Sequence, residues 1–205
     1  MTLETYLLFI SASFLLWITP GQDTIYIITR SISQGKLSGI VSALGIGTGA
    51  LGHVFLASTG VSFIILTSPM LFLTIKILGG VYLIYLGITS VLSKPQNIEN
   101  FHVEHDTLSK IYRKGILVNI LNPKVALFFI AFLPQFLDTQ TDTYSIILLG
   151  LTFVIGGTIY CIFVALFASS FSLKLRENKS IKSYFDKISG LVYITLGLKV
   201  LLAKV

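Results

Sequence analysis

The feature that most constrains this sequence is the length of its uncharged stretches. No Asp, Glu, Lys or Arg occurs in residues 38–75, and only Asp138 and Asp142 are charged in residues 125–173. Both stretches are longer than the roughly 20 apolar residues that cross the hydrocarbon core of a bilayer. Charged residues make up 12% of the chain, whereas an ordinary soluble domain has about 25%. The sequence therefore predicts an integral membrane protein.

The apolar runs predict an all-α fold of six transmembrane helices with little chain outside the bilayer. Pro20 and Pro123 interrupt the first and fourth runs. The amphipathic segment 24–34 either continues the first helix beyond its break or lies along the cytoplasmic surface. The predicted spans are residues 3–19, 38–66, 69–92, 116–137, 144–173 and 184–202.

The positions of Lys and Arg predict the orientation in the membrane. Most of the 15 basic residues lie in the first, third and fifth loops, and the other two loops have none. Because basic loops face the cytoplasm, we predict an inner-membrane protein with both termini outside. The net charge of +6 is then a topology signal, and we expect the lipid bilayer rather than nucleic acid as a partner. The basic loop residues are Arg30, Lys36, Lys94, Lys110, Arg113, Lys114, Lys174, Arg176, Lys179, Lys182 and Lys187.

The two halves of the chain resemble each other. We predict two three-helix repeats, residues 1–93 and 116–205, joined by a cytoplasmic linker, residues 94–115. Because three is odd, the second repeat enters the membrane from the opposite side, as in the inverted repeats of many secondary transporters. A shift of 110 residues matches Gly47 with Gly157, Thr48 with Thr158, Gly80 with Gly190, Ile84 with Ile194, Leu86 with Leu196 and Gly87 with Gly197.

Two helix breaks carry the candidate chemistry. Pro20 and Pro123 each remove a backbone donor inside an apolar run, and the freed backbone groups must be buried in protein or line a cavity. Asp23 and Lys124 lie beside the breaks, and charges at membrane depth tend to pair or to line a cavity. They either pair, bind the amino and carboxylate groups of a zwitterion, or lie at the interface as a helix cap and a snorkelling lysine. The structural alternative for each proline is a simple kink without a ligand.

The second span carries a stripe of small residues that ends beside a histidine. Spacings of three and four put the stripe on one helix face and predict close packing against another helix. His53 is the only histidine within a predicted span, and the ordinary pKa of its imidazole, near 6.5, suits a proton carrier. Its alternative role is a hydrogen bond to a neighbouring helix. The stripe consists of Ser38, Ser42, Gly45, Gly49 and Gly52.

Three motifs resemble those of the LysE/RhtB family of amino-acid exporters. Residues 19–23, TPGQD, resemble the family's Thr-Pro-Gly-Pro-Asp/Asn motif. Residues 76–87, KILGGVYLIYLG, resemble its K-x-x-G-A-x-Y-L-x-x-L-G segment, and residues 119–136, NILNPKVALFFIAFLPQF, resemble its N-x-x-N-P-K…P-Q-F segment. Gln22 stands where the family usually has a second proline, so it either loosens the break or adds a polar group to the site.

The resemblance implies export of amino acids or related small metabolites, driven by an ion gradient. We expect protons as the coupling ion, no cofactor and no bound metal, and we leave a homo-oligomer open. The substrate is predicted near the middle of the bilayer, between the two breaks. The candidate substrate-binding and coupling residues are Pro20, Gly21, Gln22, Asp23, His53, Asn119, Asn122, Pro123 and Lys124.

Two alternative functions fit the sequence less well. An intramembrane enzyme or redox carrier needs paired carboxylates, a Ser-His arrangement or cysteines at membrane depth, and Cys161 is the only cysteine. A metal-ion exporter of the same superfamily needs several intramembrane Asp, Glu or His ligands. Asp23 and His53 alone are too few for that role.

Overall fold

Helices make up the secondary structure of the part of the chain described by a computed structural model. The described residues are 2–61, 69–92, 105–137 and 143–177, together with 187–188, 190–191, 193–195, 197–198 and 201–202, all helical in this last group. The helices are α1 (Leu3–Ile18), α2 (Gln22–Gln34), α3 (Lys36–Leu56), α4 (Pro69–Val91), α5 (Leu108–Ile120), α6 (Pro123–Leu127) and α7 (Thr143–Glu177).

The first break separates α1 from α2. Thr19 is extended, with φ −71° and ψ 114°, because the ring of Pro20 disfavours a helical conformation in the residue before it. The axes of α1 and α2 meet at 51°. Segment 24–34, whose role the sequence left open, is therefore a helix that follows the break at an angle.

The second break repeats this geometry between α5 and α6. Asn122 is extended before Pro123, with φ −77° and ψ 107°, and its side-chain oxygen caps α6 by accepting a hydrogen bond from the backbone N–H of Lys124. After α6, the chain continues as a π-helical turn, Phe128–Phe132, and a 3₁₀ turn, Leu133–Phe136.

Helix α5 begins earlier than the sequence predicted. The fourth span was expected to start at residue 116, but α5 starts at Leu108, inside the predicted linker. The side chain of Thr107 caps its first turn by accepting a hydrogen bond from the backbone N–H of Lys110. The apolar pattern missed the start of this helix because Ser109, Lys110, Arg113 and Lys114 interrupt its apolar residues.

Several helices have the dimensions of membrane spans. Within the described residues, Lys36–Gly60 and Tyr144–Ala168 are long and apolar enough to cross a bilayer. The bent pair α1 and α2 is a third such segment if it counts as one span, and Ile77–Val91 is apolar but shorter. The predicted spans 38–66 and 184–202 extend beyond the described residues.

A cluster of phenylalanines holds the second break against α1 and α7. The ring of Phe128, just after α6, stacks on Phe153 of α7 with centroids 4.4 Å apart and lies 5.8 Å from Phe9 of α1. All three side chains are buried. Aromatic pairs contribute about 0.5–1.5 kcal/mol beyond their area burial, so this cluster fixes where the second break lies.

Helix α4 crosses the helical residues near the C-terminus at two pairs of glycines. A Cβ atom at Gly87 would lie 2.6 Å from the carbonyl oxygen of Gly190, and one at Gly190 would lie 2.5 Å from that of Gly87. A Cβ atom at Gly197 would likewise lie 2.6 Å from the carbonyl oxygen of Gly80. Neither pair has room for a side chain. The 110-residue shift that aligns the two halves of the sequence takes Gly80 to Gly190 and Gly87 to Gly197. It therefore converts the pair Gly80–Gly197 into the pair Gly190–Gly87.

Candidate functional site

The two helix breaks meet around one cavity. This cavity, the break cavity, has a volume of about 260 Å³, and Lys124 forms part of its wall. Most of the predicted site residues surround it, although they come from two distant segments of the sequence. Its other lining residues are Pro20, Gly21, Gln22, Thr89, Ser90, Asn122, Pro123 and Tyr193.

Lys124 bonds the second break to the first. Its Nζ donates to the carbonyl oxygen of Thr19 at 2.9 Å and to that of Leu16 at 3.3 Å. These carbonyls lie at the C-terminal end of α1, where the helix dipole is negative and the last carbonyls lack helical partners. The ammonium therefore satisfies the broken end of α1.

Asp23 lies in the first turn of α2 and is 9% exposed. Its Oδ2 accepts a hydrogen bond of 2.9 Å from the side-chain amide of Asn119, while its buried Oδ1 has no hydrogen-bond partner. The N-cap of α2 is Gly21, so Asp23 is not the helix cap that the sequence left open. Because its carboxylate binds Asn119 and the ammonium of Lys124 binds carbonyls, the two charges do not form an ion pair.

Asp23 and Lys124 nevertheless line a common space. This second cavity, the inner cavity, has a volume of about 50 Å³. It can hold water, which needs roughly 10–15 Å³, but it is smaller than the roughly 300–1,000 Å³ of drug-sized ligand sites. In this structure the inner cavity is therefore too small for a ligand of that size. Its other lining residues are Leu16, Trp17, Thr24, Ile46, Gly47, Ala50, Asn119, Val125, Phe153, Val154, Gly157, Thr158, Tyr160 and Cys161.

His53 lies behind the inner cavity and lines neither cavity. Its Nε2 is 3.1 Å from the carbonyl oxygen of Asn119, and because a carbonyl only accepts, Nε2 carries the proton. The imidazole is buried and stacks on the ring of Phe129, with centroids 5.9 Å apart. His53 therefore reaches Asp23 through Asn119, and both roles left open by the sequence stay compatible with this position.

The glycine stripe of α3 sets the position of Asn119. A Cβ atom at Gly49 would lie 2.7 Å from the carbonyl oxygen of Ile116 and 2.9 Å from the Cβ of Asn119. A Cβ atom at Gly115 of α5 would lie 2.9 Å from the carbonyl oxygen of Ser42. The predicted close packing of this stripe is confirmed, and it brings α5 near enough for Asn119 to bond both His53 and Asp23.

Comparison with known proteins identifies the family. The model of the family described as "LysE type translocator" matches residues 11–204 of the 205-residue chain. The chain belongs to the LysE type translocator family. It is a multi-pass membrane protein and a transporter, as the three sequence motifs predicted.

Curated relatives of the translocator cover nearly the same length. It is 27% identical to a leucine efflux protein of Klebsiella pneumoniae over 92% of this chain and 91% of the relative. It is also 28% identical to an uncharacterized membrane protein of Bacillus subtilis, over 96% of this chain and 98% of the relative. A leucine efflux protein of an Enterobacter strain is 27% identical over 91% and 90%. No solved structure gives a significant match to the translocator.

A charge cluster at the far end of α2, centred on the buried Arg30 and Asp106, was not predicted from the sequence. Arg30, which was assigned to a loop, lies within α2, is 5% exposed and forms an ion pair of 2.5 Å with Asp106. Asp106 also accepts hydrogen bonds from Lys110, at 2.5 Å, and Lys114, at 2.7 Å. These lysines, followed by Arg30, hold the pKa of the Asp106 carboxyl well below its usual range. The cluster ties α2 of the translocator to the start of α5, and only the fold brings Arg30 to the other members.

Trp17 is a second residue that sequence reasoning missed. It is the only tryptophan of the chain, and it occupies the last turn of α1, beside the inner cavity. Its ring centroid lies 5.7 Å from that of Phe153. Trp17 could have been found from the sequence as a residue with a polar N–H inside an apolar span, because a buried indole N–H normally has a hydrogen-bond partner.

Proposed function

We propose that this protein is a secondary transporter that exports amino acids or related small metabolites across the cytoplasmic membrane in exchange for protons. The observation that carries the proposal is that Asp23 and Lys124 line one cavity without pairing with each other. An acid and a base held apart match the ammonium and the carboxylate of a zwitterion. The leucine efflux proteins among the relatives support the same substrate class.

The site would lie between the two proline breaks, near the middle of the bilayer. Asp23 would bind the substrate ammonium or a coupled proton, and Lys124 and Asn122 would lie on the carboxylate side. Unwound backbone beside Pro20 and Pro123 offers further donors and acceptors, as in other transporters with discontinuous helices. Since the inner cavity is smaller than a substrate, binding requires the helices around the breaks to move.

Alternating access would come from two inverted three-helix halves, with both termini outside. The reciprocal contacts of Gly80 with Gly197 and of Gly87 with Gly190 support this arrangement, because a two-fold relation between halves predicts such an exchange. The membrane potential supplies about 2.3 kcal/mol per charge per 100 mV, which is enough to drive export against a gradient. Gln22, on the break cavity, is the residue we expect to modify substrate preference.

The test is export in inverted vesicles with an imposed proton gradient, using a panel of radiolabelled amino acids. Asp23→Asn keeps the size of the side chain and removes its charge, so we expect gradient-driven export to be abolished while membrane insertion is retained. Glu4→Gln is the matched control, because Glu4 is exposed at the start of α1 and its variant should export normally. Export by Asp23→Asn at the wild-type rate across about pH 6–8 would contradict the site.

A further inference from the structure

Three buried polar atoms beside the inner cavity lack hydrogen-bond partners. They are Oδ1 of Asp23, Oδ1 of Asn119 and Nε1 of Trp17, and all three residues line the cavity. Asp23 is 9% and Asn119 is 2% exposed. Buried polar groups are nearly always bonded, and each unpaired one costs about 1–3 kcal/mol. Two acceptors and one donor in one cavity therefore indicate a ligand that carries both donors and an acceptor.

The indole of Trp17 rests on two adjacent glycines of α7. A Cβ atom at Gly156 would overlap the far end of the ring, and one at Gly157 would lie 3.0 Å from Nε1. A side chain at either position would displace the indole or cover its N–H. The glycines thus make room for the indole of Trp17 beside the cavity.

Lys124 supplies a second donor on the same cavity. An ammonium has three N–H groups, and those bonded to the carbonyls of Leu16 and Thr19 account for two. Among the described residues, Asp23 and Lys124 are the charged ones that line the inner cavity. A ligand with one positive and one negative group would balance these charges, whereas a further charge on its side chain would have no counter-charge among the described lining residues.

We propose that Trp17 determines substrate specificity by donating its indole N–H to the carboxylate of a neutral aliphatic α-amino acid. The proposal rests on the proposed function and deepens it. Oδ1 of Asp23 and Oδ1 of Asn119 accept hydrogen bonds from the substrate ammonium. The apolar side chain of the substrate packs against the apolar part of the wall, namely Leu16, Ile46, Ala50, Val125, Phe153 and Val154.

The first experiment uses the unmodified protein. Because Trp17 is the only tryptophan, its fluorescence in purified protein reports directly on the cavity. We expect leucine to change the emission saturably, and leucinamide, in which a neutral amide replaces the carboxylate, to bind at least about tenfold more weakly, since hydrogen bonds to charged groups contribute roughly 1.5–3 kcal/mol. Equal affinities for the two compounds would overturn the proposal.

The second experiment removes the donor in two independent ways. Trp17→Phe keeps an aromatic ring without the N–H, and Gly157→Ala covers the N–H while keeping Trp17. With binding measured as ligand-induced thermal stabilisation, both folded variants should show a smaller preference for leucine over leucinamide than the wild type, because the Lys124 donor remains. Phe14→Leu, which changes an exposed aromatic residue of α1, should keep it. A folded variant of either kind that retains the wild-type preference would overturn the role of Trp17.

The outcomes separate this proposal from the proposed function. If Trp17→Phe weakens leucine and leucinamide equally while wild-type protein exports leucine, the protein is an exporter and Trp17 only packs. If wild-type protein neither binds nor exports any amino acid of the panel, the proposed function fails and this proposal fails with it. A reduced preference in both variants, with leucine export intact in the wild type, supports both proposals.

Discussion

Lys124 donates a hydrogen bond of 2.9 Å to the carbonyl oxygen of Thr19, across 105 residues of sequence. Thr19 directly precedes the proline of the first break, and Lys124 directly follows the proline of the second. The same side chain therefore satisfies the end of α1 and lines both cavities. A movement that opened the breaks would have to change this bond, which links the stability of the closed form to the site.

We predict that Lys124→Met both destabilises the protein and abolishes export. Removing the ammonium leaves the carbonyls of Leu16 and Thr19 buried without a partner, at a cost of about 1–3 kcal/mol. Thermal unfolding in detergent should show a lower midpoint, and inverted vesicles should show no gradient-driven export. Lys187→Met is the control, because Lys187 is exposed and its loss should shift neither measurement. An unchanged midpoint for Lys124→Met would mean that the bond contributes nothing to the closed form.

We predict that Asp106→Asn lowers the unfolding midpoint at neutral pH, because it leaves the buried guanidinium of Arg30 without its carboxylate. The pKa of Asp106 is lowered in the folded protein by Lys110, Lys114 and Arg30. The Asp106 carboxylate therefore stabilises the folded protein above the pKa of an Asp in the unfolded chain, about 4. This stabilisation is lost as the pH falls from there toward the pKa of Asp106 in the folded protein. The difference between wild type and variant should persist from pH 7 to about pH 4 and shrink in more acidic buffer. A difference that stays constant throughout this titration would contradict the assignment.

We predict that two substitutions of His53 separate its two possible roles. His53→Gln can still donate to the carbonyl of Asn119 but does not titrate, whereas His53→Leu loses both properties. If the imidazole carries the coupled proton, both variants should lose gradient-driven export. Wild-type export by His53→Gln, with reduced export by His53→Leu, would show that the histidine acts only by positioning Asn119.

We predict that Gly49→Ala reduces export per folded molecule, because its Cβ would meet the carbonyl of Ile116 and the Cβ of Asn119 within 3 Å. The strain of overpacking costs roughly 1–3 kcal/mol and moves Asn119 away from Asp23. Gly52→Ala, one turn along the same helix, provides the matched control, since its nearest neighbour lies at 3.8 Å in ordinary contact. Export should be measured after correction for protein that elutes as a single folded species. Equal export by the two variants would contradict the inference that packing of α3 against α5 sets the position of Asn119.

The local chemistry of the sequence predicted much of the fold. Uncharged runs predicted the helices, and Pro20 and Pro123 predicted the breaks, because a proline disrupts helical bonding wherever it stands in an apolar run. The three motifs predicted the family, which residues 11–204 confirm. The start of α5 at Leu108 was missed, since Ser109, Lys110, Arg113 and Lys114 interrupt the apolar signal of its first turns.

Tertiary structure alone decided which polar groups meet. Sequence chemistry placed Asp23 and Lys124 beside the breaks, but it left open whether they pair. Packing of α3 against α5 brings Asn119 to Asp23, and Lys124 instead binds the carbonyl of Thr19. The ion pair between Arg30 and Asp106 was equally hidden, because each hydrogen bond needs geometry accurate to a few tenths of an ångström, and that geometry comes from contacts between distant segments.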